Sequence, residues 1–430
     1  MKTFYQLLGN SLIVNIANGY VWFALIFWAY LETKSVIATS IMGGIYLVFT
    51  AASGIWFGSI VDHNKKKTAM QMSTFATLVF FILSLLFYQF TPKEAFKSVA
   101  NWELWVITVL ILGGAIVGNI RNIAIPTLVT ILVDANKRDK ANGLSGTIIG
   151  LSFAICSVIS GLLLGFAGMF WVLLSAIVLT IVAIVHLAFI QVPEKAIVHT
   201  KDKPKKVDLK GTIKAVGAIP GLFAIILFST FNNFLGGVFM ALMDAYGLSL
   251  VTVQEWGLLW GFLSFGFIFG GIIIAKRGLG KNPITTLFKV NIVLWIVCIF
   301  FVIQPSIWLL AAGMLIYMTL MPFAEASEQT IIQKVVPPER QGRVFGFAQS
   351  VEQAASPLTA FMIGPIAQFI FIPYMTTGAG VDLIGDWFGV GQGRGIALVF
   401  IATGIIGLIV TLLCMRLSAY QLLSERYQKK

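Results

Sequence analysis

The sequence predicts an all-α membrane protein of 12 transmembrane helices in two six-helix, pseudo-symmetric bundles. Three observations carry this expectation. The chain is 58% hydrophobic and only 11% charged, less than half the roughly 25% charged residues of a soluble domain. Its apolar residues gather into twelve stretches, each near the ~20 residues a helix needs to cross a bilayer. The 430 residues hold one long polar interruption, close to the middle.

Taken in order, the spans are expected at 8–31, 36–61, 68–90, 103–134, 141–166, 169–192, 218–243, 254–275, 285–304, 307–336, 344–373 and 393–417. The first follows Lys2 and carries Asn10, Asn15 and Asn18. It has no small-residue cleavage pattern, so it reads as a retained span and not a signal peptide. Basic clusters bound alternate spans: Lys65–Lys67, Lys137/Arg138/Lys140, the run from Lys195 to Lys214, Lys276/Arg277/Lys281, Arg340/Arg343, and the tail Arg426/Lys429/Lys430. The opposite loops hold only Lys34, Lys93, Lys97 and Arg394, with Arg121 left inside a span. That asymmetry predicts a multi-pass cell-membrane protein with both termini cytoplasmic. Spans longer than 20 residues fit tilted helices or ends that enter water. The net charge of +12 is spread over these loops, so it supplies no polar face for nucleic acid.

The interruption at 193–217 is basic and is bracketed by Pro193 and Pro220, with Pro204 inside it. It divides the chain into bundles at 1–192 and 218–430, joined by a cytoplasmic linker. A shift of 203 positions overlays the loop after span 4 on the loop after span 10: Lys137 falls on Arg340, Lys140 on Arg343 and Gly143 on Gly346. Parallel repeats of this kind occur in secondary transporters, with the substrate site near the midplane between them. Glycines four apart in span 2 (Gly54, Gly58), span 5 (Gly146, Gly150, Gly161, Gly165) and span 8 (Gly257/Gly261, Gly266/Gly270) line single helix faces and let backbones approach.

Three local motifs stand out. Gly58-Ser-Ile-Val-Asp62-His63-Asn-Lys65-Lys66-Lys67 follows span 2; Arg121 with Pro126 in span 4 precedes Ala141-Asn142-Gly143; and Val336-Pro337-Pro338-Glu339-Arg340-Gln341-Gly342-Arg343-Val344-Phe345-Gly346 follows span 10. On these the chain resembles the major facilitator superfamily, and within it the macrolide-efflux-like branch of drug–proton antiporters. The first motif resembles G-x-x-x-D-R/K-x-G-R/K-R/K, with His63 for the basic residue and Lys65 for the second glycine, which is expected to alter the turn. The last is similar to the efflux branch's P-x-x-x-x-G-R-V-F-G. Span 5 departs from the antiporter pattern: Cys156-Ser157-Val158-Ile159-Ser160-Gly161 has no Gly-Pro pair. The resemblance implies gating roles for Gly58, Asp62, Lys66, Arg340, Gly342 and Arg343, and lipophilic or macrolide-like drugs as substrates.

Four ionisable residues are expected deep in the spans: Arg121, Glu325, Glu328 and Glu352. A charge at mid-membrane costs at least ~2.5–3.5 kcal/mol, so each needs a partner or a watery space. Arg121 offers five donors, suited to a carboxylate, a substrate, or a structural ion pair between helices. Glu325 and Glu328, three residues apart, share a helix face; close carboxylates cannot both ionise easily, as a proton carrier requires. In the alternative, one pairs with Arg121 and the other meets cytoplasmic water. Glu352 is expected at the depth of Glu328, or else reaching Arg343 at the membrane surface. Asn119 and Asn122 flank Arg121, and Asn15, Asn18, Asn232 and Asn233 are further cavity candidates. Trp22, Phe231, Phe234, Phe239 and Trp260 offer faces for a lipophilic ligand, or for lipid. Asp62 is expected to accept from a helix N-terminus or to pair with the basic loop, and His186 to pack at the interface.

No Walker loop, metal-binding His/Cys cluster or nucleophile with a base is present in the sequence, and Cys156, Cys298 and Cys414 read as small apolar residues. The expectation is a non-enzymatic, cofactor-free and metal-free monomer that uses protons to export small molecules by alternating access. A nutrient or osmolyte symporter and a lipid-moving protein are the alternatives.

Overall fold

The computed structural model describes residues 2–33, 36–194 and 209–429, and 12 of its helical segments are long and apolar enough to cross a membrane. Residues 195–208, most of the expected linker, lie outside the described residues. Six spans make up the first half of the chain: α1 (Lys2–Thr33), α2 (Val36–His63), α3 (Lys66–Phe90), then the pair α4 (Trp102–Gly118) and α5 (Ile120–Leu132), which together form one span, then α6 (Arg138–Ala167) and α7 (Met169–Phe189). A short α8 (Leu209–Gly217) leads to α9 (Leu222–Leu248). The next span is α10 (Val253–Leu263) plus α11 (Phe265–Arg277); α12 (Pro283–Phe300) and α13 (Ile307–Val335) follow. The eleventh joins α14 (Gln341–Ile366), a π turn over Ala367–Phe371 and α15 (Ile372–Thr376). Then come α16 (Ala379–Phe388), α17 (Gln392–Cys414) and α18 (Ser418–Lys429).

The surface has the polarity of a bilayer solute. Phe90, Phe166 and Trp308 are each more than 80% exposed, an apolar surface that water would not tolerate but lipid does. Inward polar groups are satisfied locally, as lipid demands: Thr108, Thr180, Thr403 and Thr411 each donate to the carbonyl four residues back at 2.6–2.8 Å.

The chain divides into two compact units. Unit 1 comprises Met1–Ala141, Ile148–Ile213 and Val336–Ser350; unit 2 comprises Asn142–Thr147, Lys214–Val335 and Val351–Lys430. The division follows the chain's halves except for two segments, the starts of α6 and α14. In unit 1 an aromatic core of Trp28, Tyr88 and Phe96 sits at one end, with Phe96 inserted from the turn after α3 and 5.2 Å from Trp28 between ring centroids. Unit 2 is built around Phe239, stacked on Phe400 at 4.8 Å.

Glycine explains the placement of α14's first turns in unit 1. A Cβ on Gly58 would lie 2.5 Å from the Gly342 carbonyl oxygen, and one on Gly54 would lie 2.8 Å from that of Gly346. Only residues without a Cβ allow this approach. In unit 2 a Cβ on Gly271 would lie 2.6 Å from the Gly143 carbonyl oxygen, which holds the start of α6 against α11 in the same way. The turn between α2 and α3 needs no glycine: Lys65 has φ −58° and ψ 135°, an ordinary extended conformation. This is why the substitution in the first motif leaves the turn intact. α6 runs unbroken for 30 residues through the segment that lacks the Gly-Pro pair.

Candidate functional site

Span 4 breaks between α4 and α5 at Asn119, where the amide of Asn122 turns back to the Asn119 carbonyl at 3.0 Å. Ser73 of α3 donates to the Val117 carbonyl beside this break at 2.8 Å. Arg121 lies in the first turn of α5 and is 2% exposed. Its Nη1 donates to Asn10 Oδ1 at 2.7 Å and its Nη2 to Thr74 Oγ1 at 2.8 Å. Asn10 in turn donates to the Ala183 carbonyl at 2.8 Å and sits 3.3 Å from His186 Nδ1. Among the described residues no carboxylate forms an ion pair with Arg121. The guanidinium therefore ties α1, α3 and α5 through neutral partners, and its burial leaves little of it open to a substrate.

The acidic residues lie in unit 2. α13 carries Glu325 and Glu328, and α14 carries Glu352. Glu328 turns inward, where its Oε2 accepts from the Ser229 hydroxyl of α9 at 2.6 Å. Its carboxyl group lies beside that of Glu352. Oε1 of Glu328 and Oε1 of Glu352 are buried and receive no donor from the described protein groups. Two carboxyl groups can share a hydrogen bond only when one of them carries a proton. Glu325 points differently: it is exposed, and its Oε1 lies 3.4 Å from the Gln329 amide nitrogen. The contact thus joins Glu328 to Glu352 across helices, while Glu325 remains one turn away at an accessible position.

The asparagines divide. Asn119 donates to Thr50 Oγ1 at 3.3 Å, and Asn122, exposed, donates to Asn119 Oδ1 at 3.2 Å. Asn15 is half-buried. Asn232 and Asn233 bond back to the Phe228 and Ser229 carbonyls of their own helix at 2.9 and 3.1 Å, and Oδ1 of Asn232 is buried without a donor. Of the aromatic candidates, Phe239 is core, Trp22 stacks on Tyr46 at 4.6 Å, and Trp260 meets Trp256 edge-on at 5.9 Å.

The motif after span 2 forms a carboxylate-capped helix end. Asp62, 7% exposed, accepts from the backbone N–H groups of Gly342 and Arg343 at 2.7 and 2.9 Å, in the first turn of α14. An anion here meets both unpaired donors and the positive end of the helix dipole. Arg343 Nε lies 3.6 Å from the same carboxylate, and this, not Glu352, is the acid Arg343 serves. His63 Nδ1 lies 2.8 Å from the Ser59 carbonyl, which makes it the donor, so Nε2 accepts from Arg343 Nη2 at 3.0 Å. Lys66 is buried and donates through Nζ to the Val61 carbonyl at 2.8 Å; Arg340 is exposed.

Sequence reasoning passed over three of these partners. Glu194 accepts from the backbone N–H groups of Lys66 and Lys67 at 2.6 and 2.8 Å and so caps α3; a carboxylate beside a basic linker gives no such signal. Thr74 looks like any membrane threonine. Ser229 had a usable one, since it lies one helical turn before Asn233 on the same face. Among the described residues no group of three or more His, Cys, Asp or Glu is arranged to hold a metal ion.

The comparisons agree with this architecture. A bacterial homologue of the iron transporter ferroportin, solved in an outward-facing state, superposes with a TM-score of 0.72 at 14% identity over 96% of this chain and 100% of that one. The human organic anion transporter MFSD10 (TETRAN) gives 0.70 at 10% identity over 96% and 99%. The proton:xylose symporter XylE, bound to 6-bromo-6-deoxy-D-glucose, gives 0.64 at 12% identity over 96% of each chain. No curated protein matches the chain significantly. These likenesses show the fold, and the family model described as Major Facilitator Superfamily matches residues 7–360. The chain belongs to the Major Facilitator Superfamily, as a multi-pass secondary transporter of small molecules and not an enzyme.

Proposed function

We propose that this transporter couples proton movement to the export of lipophilic, macrolide-like small molecules by alternating access, working as a monomer with both termini in the cytoplasm. The observation that carries the reading is the Glu328–Glu352 carboxyl pair with Ser229 at its side and Glu325 exposed one turn away. A pair that shares one proton is neutralised by half and holds a single negative charge. Release of that proton leaves two buried anions, a state that a mid-membrane site tolerates only with a compensating cation. Proton and cationic substrate would therefore exclude one another, which is the condition for exchange. Glu325 would pass protons between the pair and water.

A precedent for proton coupling on this fold is the proton:xylose symporter. The organic anion transporter of the same fold is a weaker guide to substrate, because three carboxyl groups without a basic ion-pair partner repel anions. The basic clusters on the loops that adjoin the termini support the orientation. The Gly-Arg-Val-Phe-Gly run at 342–346 supports the macrolide-efflux-like branch.

The test is transport by the purified protein in proteoliposomes with an imposed pH gradient, using a panel of macrolides, lipophilic amines and neutral sugars. Proton-driven movement of the lipophilic substrates should fall at least about tenfold in Glu328→Gln and in Glu352→Gln. Binding of substrate without a gradient should persist. Undiminished gradient-driven transport in the Glu328→Gln/Glu352→Gln double variant refutes the coupling role. Accumulation of sugars along the proton gradient would favour a symporter instead.

A further inference from the structure

We infer a second ligand site in unit 2, for a lipophilic organic cation, formed by Asp244 with Trp256 and Trp260. Its location follows from the helices. C-terminal α18 packs against the start of α9, where the Tyr420 hydroxyl donates to the Ala224 carbonyl at 2.9 Å. Asp244 is 20 residues further along α9, roughly 30 Å at 1.5 Å per residue. It therefore stands at the membrane face opposite the C-terminus, far along the helix from Ser229 and the paired glutamates.

Both indole N–H groups converge on one oxygen: Trp256 Nε1 donates to Asp244 Oδ1 at 2.9 Å and Trp260 Nε1 at 3.3 Å. Tryptophans of a membrane-interface belt usually direct this group to water or headgroups. Here they fix a carboxylate instead, and the two rings stand nearly perpendicular, 79° apart, to form a corner. Trp256 is held rigidly, 5% exposed and packed against Gly247, where a side chain would collide with its ring. Asp244 is exposed and Trp260 half-exposed, so the corner is open.

The carboxylate lacks an internal counter-charge. Asp244 lies just over one turn from the C-terminal end of α9, the negative end of the helix dipole. No described lysine, arginine or histidine forms an ion pair with it. Arg394, the basic residue expected in the loops of this face, directs its Nη groups to the Val302 and Ile303 carbonyls at 3.0 and 2.8 Å and to the Tyr246 hydroxyl at 3.3 Å, and lies over the Phe388 ring. Other charges of unit 2 at this face, Glu255, Asp382 and Asp386, are acidic. An anionic, aromatic corner with no resident cation recognises a quaternary or protonated amine through both charge and ring face.

The experiment measures equilibrium binding of tetraphenylphosphonium to the full chain in lipid nanodiscs, with neutral triphenylphosphine oxide as the shape control. The background is the Glu325→Gln/Glu328→Gln/Glu352→Gln variant, so the interior carboxyl groups do not contribute. Tetraphenylphosphonium should still bind there, the neutral analogue should not compete, and Asp244→Asn should weaken binding at least about tenfold. Asn keeps an oxygen for the indole N–H groups, which preserves the fold. Trp260→Leu, which removes a ring face without touching the carboxylate, should weaken binding severalfold in the wild-type and triple-Gln backgrounds. Wild-type affinity in both Asp244→Asn and Trp260→Leu overturns the site, as does loss of all binding in the triple-Gln background or equal competition by the neutral analogue. Failure of proton coupling at Glu328 and Glu352 leaves this result unaffected.

Discussion

Asp62→Asn isolates the charge at the capped end of α14. The native carboxylate accepts two backbone N–H bonds at 2.7 and 2.9 Å. A hydrogen bond to a charged group contributes about 1.5–3 kcal/mol and a neutral one about 0.5–1.5 kcal/mol. Asparagine has nearly the same shape but one accepting oxygen, so it retains one neutral bond and turns an NH2 group toward the other backbone donor. The ion pair of Arg343 is lost as well, although at 3.6 Å and partly exposed it contributes little. The net loss is about 3 kcal/mol, or roughly 150-fold in the local opening equilibrium, at 1.4 kcal/mol per tenfold. Hydrogen–deuterium exchange of the full chain in nanodiscs, read on peptides covering 338–350, should show the Gly342 and Arg343 amides exchanging about a hundredfold faster, with α7 and α12 unchanged. Native protection of those two amides in Asp62→Asn would refute the reasoning, because the donors would then be satisfied without the carboxylate.

Other consequences follow from single contacts. Gly58→Leu should dislodge the first turns of α14 and lower thermal stability by more than 1–3 kcal/mol, the usual cost of overpacking, since even a Cβ there meets the Gly342 carbonyl oxygen and Arg343 Cα; an unchanged melting temperature contradicts this. Arg394→Met should cost about 3 kcal/mol by removing charged hydrogen bonds to two carbonyls, visible as lower melting and faster exchange at 302–303. Asn142→Leu should destabilise the start of α6 by about 2 kcal/mol, because Asn142 bonds Thr330 at 2.8 Å and exchanges amide bonds with Gln333 at 2.9 and 3.1 Å. Exchange at 142–147 measures it, and native protection there argues that the amide pair is dispensable.

The candidate site was partly legible before any coordinates. Glu325, Glu328 and Glu352 stand out because acids are rare within apolar spans, and Asp62 because its spacing from Gly58 matches a motif with a known position. Pairing was not legible. Periodicity places Glu325 and Glu328 on one helix face, yet their 60° angular separation is enough for Ser229 and Glu352 to engage only the second. Arg121 offered the opposite lesson: its charge suggested a carboxylate partner, and Asn10 and Thr74 took the donors instead. Asp244 attracted no notice in the chain because an acid near a helix end is ordinary; two indole N–H groups on one oxygen are not.

What the chain by itself determined is its solvent and its count of crossings. Apolar length and the scarcity of charge leave a bilayer as the only medium in which these segments are stable, and hydrogen bonding in lipid then makes each one helical. The tertiary structure alone decided which polar groups meet: α14 begins in one unit and contributes Glu352 to the other, and helix rotation chose Glu328 over Glu325. Side-chain direction depends on how neighbouring helices pack, with glycines setting their distance at 54, 58, 271 and 346, and packing is a property of many segments at once that no single stretch encodes.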